Sequence, residues 1–521
     1  MVTRIAFLVL IHQVFTSNMQ VSAVVDLRQP DLIRHGYPVR KAEQESEPAY
    51  WRSQARRKLQ ASLDRPQLLG YARNAVLLVG PGLSASGLAA ARVLRGQRRG
   101  DAGEGAALCL DALSNVGLAK TYCVDSQVAD SACSATALLC GVKGVAGTLA
   151  MAPSVRRGDC RAQGNATMHL SSLLRWAQEG GKATGVVTNG RVTQAPVAAS
   201  YAHAASAAWE SDALWTAHQH GEGHSCPDVA LQLVTGETGQ KLKVVLGGGR
   251  AMFRPNTLED EDGVGCGSRL DGRNLIEEWK ADKDVRGVSS RYIWSRGQLL
   301  QNETFEKDYI LGLFGASELP FHLDTAASST PRLSEMTRTA ITALQREYNG
   351  FILLVCASLM DKAHGLNLAQ KALDETLELE AALEVVLELT NESDTLVVVM
   401  ADHAHSLSFS GSPPRGNDIF GVSGVDGEGV PYTSLTYVSG PGYRPVPPRY
   451  DVCEDNTHGK DHAFPAMRPK ATASHSGEDA LVLSRGPWSH LLSGVFEQNY
   501  VPHAVAFATC VGDGATACDA A

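Results

Sequence analysis

The run A-V-L-L-V at Ala75 to Val79, closed by Gly80-Pro81-Gly82 and followed by S-A-S-G-L-A-A-A-R-V-L-R-G at Ser84 to Gly96, reads as strand, tight turn and helix. The same grammar recurs along the chain. Gly185-Val186-Val187-Thr188 ends at Asn189-Gly190, and Lys243-Val244-Val245-Leu246 ends at Gly247-Gly248-Gly249. Phe351 to Val355 runs into Cys356 and Asp361, and Thr395 to Val399 runs into Asp402-His403-Ala404-His405. Short β-rich runs alternating with helical stretches predict an α/β fold: a mostly parallel central sheet with helices on both faces. Helical spacing is also predicted over Tyr50 to Leu63, Pro331 to Tyr348 and Leu366 to Leu389, the last as an amphipathic core helix. Gly411 to Gly429 and Gly440 to Pro469, rich in Gly, Pro and charge, read as loops or a small surface subdomain, about residues 406–472.

In such a sheet, ligands bind beyond the carboxyl ends of the strands, so polar residues just after the strands are the candidates for chemistry. Asp361, Asp402, His403 and His475 are oxygen and imidazole donors of the kind that zinc accepts. His405 falls on the same side of an extended chain as His403, where it could orient a ligand. A fifth candidate lies in V-A-D-S-A-C-S-A-T-A-L-L-C-G-V, Val128 to Val142. There Ser131 follows Asp130 at the start of a small-residue helix, where free N–H groups favour an anion and a serine can act as nucleophile. The plainer reading of Asp130-Ser131 is a helix cap alone. G-x-S-x-G is absent around Ser131, which argues against an acyl-transfer serine hydrolase.

The 521 residues are 44% hydrophobic, enough for a large core, and the net charge of -9 argues against a nucleic-acid binder. Residues 1–23 combine an early Arg4, the apolar run I-A-F-L-V-L-I and a V-S-A end, the pattern of a signal peptide, and residues 24–47 read as a loose arm. The expectation is a secreted chain with no transmembrane segment, and no lipid-anchor tail is visible after Cys518. Eleven cysteines suit an oxidising compartment, and Cys510 and Cys518 are placed to close a short terminal disulfide. Asn165, Asn302 and Asn391 each head a glycosylation sequon.

Taken together, V-A-D-S-A, V-V-L-G-G-G-R, S-R-L-D-G-R-N-L, A-D-H-A-H-S, R-G-N-D-I-F-G and H-S-G-E-D-A-L-V-L-S-R-G-P resemble animal alkaline phosphatases in order and spacing, from about Tyr50 to Asp519. The resemblance implies a single domain over 48–521, a homodimer, and hydrolysis of phosphate monoesters at two zinc ions and one magnesium through a phosphoserine. Ser131 matches the nucleophile. Asp402 and His403 match ligands of one zinc, Asp361 and His475 ligands of the other, and Cys160–Cys226 and Cys510–Cys518 match family disulfides.

The chain also departs from the family pattern. Pro81 stands where an Asp bridges zinc and magnesium, Cys356 where a Glu binds magnesium, and Gln194 and Pro196 where a His or Asp and a hydroxyl residue stand. Gly365 replaces a zinc-binding His, and Ala207 replaces the arginine that holds phosphate. Magnesium prefers hard oxygen ligands, and a phosphoryl transfer relies on such charges. His364, one residue before Gly365, would point about 100° away on a helix. These replacements imply partial zinc occupancy, loss of magnesium and an impaired or inactive catalyst. The alternative is an active phosphomonoesterase working through Ser131 with an altered metal site.

Overall fold

Ten strands, all short and mostly apolar, form the central sheet among the residues that the computed structural model describes: 43–216, 226–325, 330–445 and 452–518. They are β1 Asn74–Val79, β2 Asn115–Lys120, β3 Ala183–Arg191, β4 Val244–Gly248, β5 Ser290–Ile293, β6 Tyr309–Leu313, β7 Phe351–Cys356, β8 Thr395–Met400, β9 Ala480–Arg485 and β10 Gly494–Glu497. Their order across the sheet is β10-β2-β9-β8-β1-β7-β3-β4-β6-β5. β9 runs antiparallel to both β8 and β2, and the other pairings are parallel. The leader 1–23 and most of the arm lie outside the described residues, whose first element is a turn of 3-10 helix at Glu43–Ser46.

β1 sits in the middle because both its faces are apolar. Ala75, Leu77 and Val79 point into one core, with the helices Ser131–Cys140, Leu173–Glu179 and Tyr500–Thr509. Val76 and Leu78 point into the other, with Ala85–Arg98, Leu333–Leu344 and Ala369–Leu389. A strand covered on both faces reads as an unbroken hydrophobic run, and A-V-L-L-V does.

The helix Ala369–Leu389 departs from the amphipathic expectation in one respect: it buries charge as well as leucine. Glu380 pairs with Arg95, Asp374 lies 2.6 Å from Arg98, and Glu375 accepts hydrogen bonds from Asn189 and the His322 amide. Buried carboxylates survive only when paired in this way. By contrast, none of the residues of the helix Pro48–Leu63 is buried. Residues 406–472 hold a three-stranded sheet, Leu407–Phe409 with Leu435–Gly440 and Ala466–Pro469, and a separate hairpin of Val422–Val425 with Pro431–Thr433.

The register brings the site together. Val79 at the end of β1 pairs with Cys356 of β7 and with Met400 of β8, so the segments that follow all three strands leave the sheet side by side. Gly82 donates its N–H to the His403 carbonyl at 3.0 Å. Its φ of 88° suits glycine, and a Cβ there would lie 3.1 Å from both His364 and His405.

Candidate metal centre

Ser131 is the first residue of the helix Ser131–Cys140, and the Asp130 side chain caps that helix by accepting from the Cys133 N–H at 2.8 Å. This fixed turn puts Ser131 Oγ 2.9 Å from His403 Nε2. His403 is fully buried and leaves β8 through Asp402, whose Oδ1 accepts the His403 amide at 2.8 Å while its carbonyl accepts from Gln498 at 2.6 Å. Asp402 Oδ2 lies 3.6 Å from His403 Nε2 and has no hydrogen-bond partner although it is buried.

Asp361, in the helix Leu359–Gly365, is the second hub. One of its oxygens, Oδ1, lies 3.1 Å from His405 Nε2, 3.4 Å from His475 Nε2 and 3.9 Å from His403 Nε2. His475 and His405 reach it because Ala404–His405 and His475–Ser476 form a two-residue antiparallel ladder with His475 directly opposite His405. His475 Nδ1 donates to the Ala129 carbonyl at 2.8 Å, and its ring stacks on that of His403 with centroids 3.6 Å apart. The loop before Ser131 thus touches the cluster twice, through Ala129 and through the serine.

The charges are set by burial and by one another. Burial raises the Asp361 carboxyl, but hydrogen bonds from His405 and His475 outweigh it and hold the pKa well below the usual range. Burial disfavours charge on His475, yet the bond to Asp361 lifts it to about 9. Burial, reinforced by Asp361, pushes Asp402 up to about 7, and burial with His475 nearby pushes His403 far down. Two carboxylates, with imidazoles that release their protons on binding, are a donor set for a borderline cation such as zinc.

All five candidate residues from the sequence therefore meet in one place, together with His405. Three of the replaced positions border them: Pro81 precedes Gly82, which bonds to His403, Gly365 ends the helix that carries Asp361, and Cys356 ends β7 beside Val79. A Cβ at Gly365 would meet nothing within 4 Å, so a side chain has room where there is none. Pro81 is buried in the turn after β1. The Cys356 thiol is 3.2 Å from Ser358 Oγ, which is 3.0 Å from Thr188 Oγ1, which accepts the Gly190 amide at 2.9 Å. That chain of neutral groups satisfies itself, and burial raises the Cys356 pKa. The residues present thus fit a nitrogen-and-carboxylate cation site and do not fit a hard-oxygen magnesium site. Ala207 is half-buried, with only its amide engaged, on the Gly147 carbonyl. His364 turns to Tyr437, 3.0 Å from its hydroxyl, and burial lowers it to about 3.

Three disulfides are formed. Cys160–Cys226 and Cys510–Cys518 are those expected, and Cys123–Cys133 was not foreseen. It ties the loop after β2 to the first turn of the Ser131 helix. Two cysteines ten residues apart that bracket D-S-A were the available signal. Asn165, Asn302 and Asn391 are all exposed.

A doubly covered, mostly parallel sheet with a serine, three histidines and two aspartates gathered beyond its strand ends defines an α/β protein with a polar site where such sheets bind ligands. Residues 72–511 match the family described as alkaline phosphatase. The chain is 42% identical over 489 residues to the membrane-bound alkaline phosphatase of Bombyx mori, covering 91% of this chain and 87% of that one. To the tissue-nonspecific isozyme of Homo sapiens it is 39% identical over 480 residues, 90% of each chain. A mutant of TAB5 alkaline phosphatase with magnesium bound in its M3 site superimposes with a TM-score of 0.60 at 18% identity, over 85% of this chain and 99% of that one. The chain belongs to the alkaline phosphatase family. Among the described residues, no helix is long and apolar enough to cross a membrane.

Proposed function

We propose that this chain is a secreted alkaline-phosphatase homologue whose hydrolytic activity is impaired or lost. One observation carries the reading: Pro81, Cys356, Gly365 and Ala207 stand at four positions where the family resemblance calls for donors or a cation. Proline, glycine and alanine supply neither, and the thiol is tied into the Ser358–Thr188 chain. The retained groups take the roles that the resemblance gives them. Ser131 is the residue that would be phosphorylated, and Asp361, Asp402, His403 and His475 are what remains of the zinc ligands. A bound metal would supply Lewis acidity at phosphorus and lower the cost of ionising the serine. Without the arginine, bidentate recognition of phosphate is lost.

The second reading, an active phosphomonoesterase with an altered site, is favoured by the 2.9 Å contact between Ser131 and His403. Turnover of a chromogenic phosphate monoester by purified protein, with Ser131→Ala beside it, separates the two. The expected result is no Ser131-dependent turnover above a small residue. A Ser131-dependent rate on the order of 10 per second, ordinary for enzymes, would establish the second reading. Secretion, glycosylation at the three exposed sequons and a homodimer are part of the same proposal, checked by mass analysis of the secreted protein and by sedimentation.

A further inference from the structure

We propose that the site has been reduced to a one-ion centre. A single divalent transition-metal ion is held by Asp361, His403 and His475, with Asp402 as the balancing carboxylate. The inference rests on the reading of a depleted site and adds what the remnant binds.

Three observations carry it. Asp361, His403 and His475 each offer a ligand atom, and those atoms lie within 4.8 Å of one another. Sharing out four ligands as two pairs leaves each ion with two side chains, whereas one ion gains two imidazoles and a carboxylate, a sufficient set with open positions. Second, Asp402 Oδ2 is fully buried, unpartnered and aimed at the cluster, 3.6 Å from His403 Nε2. A buried carboxylate oxygen without a partner is costly, and a cation beside His403 removes the cost.

The third is charge. The groups paired with Asp361 and Asp402 across the cluster are histidines. With neutral imidazoles, two carboxylates neutralise one divalent ion. A second ion would leave two positive charges uncompensated in a partly buried site, and Pro81, Cys356 and Gly365 provide no anion to offset them. His475 is already arranged as metal-binding histidines are, with Nδ1 donating to a backbone carbonyl and Nε2 toward the cluster. His405 holds the Asp361 oxygen from behind and acts as a positioning residue. Seating one ion on both His403 and His475 makes their stacked rings splay apart.

The full chain, stripped with chelator, reloaded with excess Zn²⁺ or Co²⁺ and desalted, should hold one ion per chain by elemental analysis and native mass spectrometry. The Co²⁺ form should show visible bands of a low-symmetry four- or five-coordinate site and shifted ring N–H proton resonances from two histidines. Asp361→Asn and His475→Ala should each weaken binding at least a hundredfold, and Asp402→Asn at least tenfold. Gly365→Ala should leave stoichiometry at one. If a variant does not fold, the paramagnetic histidine signals of the unaltered chain decide the ligands. Two or more ions per chain, none after loading, or fewer than two shifted histidines would overturn the proposal. Two ions without phosphatase turnover would sink this inference alone, and one ion with rapid Ser131-dependent turnover would sink only the functional reading.

Discussion

Asp402 and His403 show how much a single position can reveal. Two titratable residues at the end of an apolar strand have no business there without a partner, and the partner is a cluster that gathers Asp361, His475 and Ser131 from three other segments. Repairing the cluster one residue at a time should fail, because groups that act as a unit are strongly non-additive. Pro81→Asp alone should leave phosphomonoesterase activity within a fewfold of the starting protein. Pro81→Asp, Gly365→His and Ala207→Arg, with Cys356→Glu and Pro196→Ser, should raise it by orders of magnitude, and adding Ser131→Ala should abolish the gain. Initial rates on a chromogenic ester check both, and a large gain from the single substitution would refute the shared lesion. Asp361, Asp402 and His403 were legible in the sequence because they follow apolar strands in short motifs, whereas His475 precedes β9 and was legible only through S-H-S-G-E-D. The Ala129 carbonyl and the Gln498 amide that set His475 and Asp402 were not, since backbone groups and distant glutamines leave no pattern.

At the scale of elements, legibility followed burial. β1, β3, β4, β7 and β8 are covered on both faces, and their apolar runs stand out. β6 is equally buried, but Gly312 interrupts its pattern, and β2, one strand in from the edge, buries Gly117 and Ala119 while exposing the apolar Val116 and Leu118. The helix Ala369–Leu389 was clear from its leucines, although not from its buried acids. Leu379 on that helix is fully buried, and its side chain lies 2.8 Å from where a Cβ on Gly80 would stand. Leu379→Ala should therefore cost about 2–5 kcal/mol, read as a fall in the denaturation midpoint at unchanged m-value. A different prediction attaches to Cys123–Cys133, which clamps the loop carrying Ala129 to the turn carrying Ser131. In a Cys123→Ser, Cys133→Ser double variant, amide exchange should quicken over residues 124–134 with little change at the Cys160–Cys226 bridge. Unchanged exchange in that loop would show that the capping Asp130 suffices.

The molecule as a whole rests on two large apolar cores that sandwich the sheet, and the proposed metal ligands belong to neither. Chelator should thus lower the melting temperature only modestly and leave secondary structure intact by circular dichroism. Loss of structure would mean that the ion drives folding. Acid should act through groups such as His203. Burial, opposed by its hydrogen bond to the Ala150 carbonyl and reinforced by His169, depresses its pKa to about 4. A histidine held neutral in the fold binds fewer protons than in the unfolded chain, so its share of stability is intact above pH 6.5 and is lost as pH falls toward 4. The full loss is about 3 kcal/mol, and His203→Gln should flatten the stability profile over that window. The strand order has a further consequence, measured in time. Asn74 at the start of β1 pairs beside Thr395 of β8, 321 residues later. At roughly 5–20 residues per second of synthesis, β1 waits about 16–64 s for that neighbour to be made. Until β7 is made A-V-L-L-V has neither neighbour, and until β8 follows it keeps one open edge, so nascent chains ending before about residue 400 should be the form that chaperones hold.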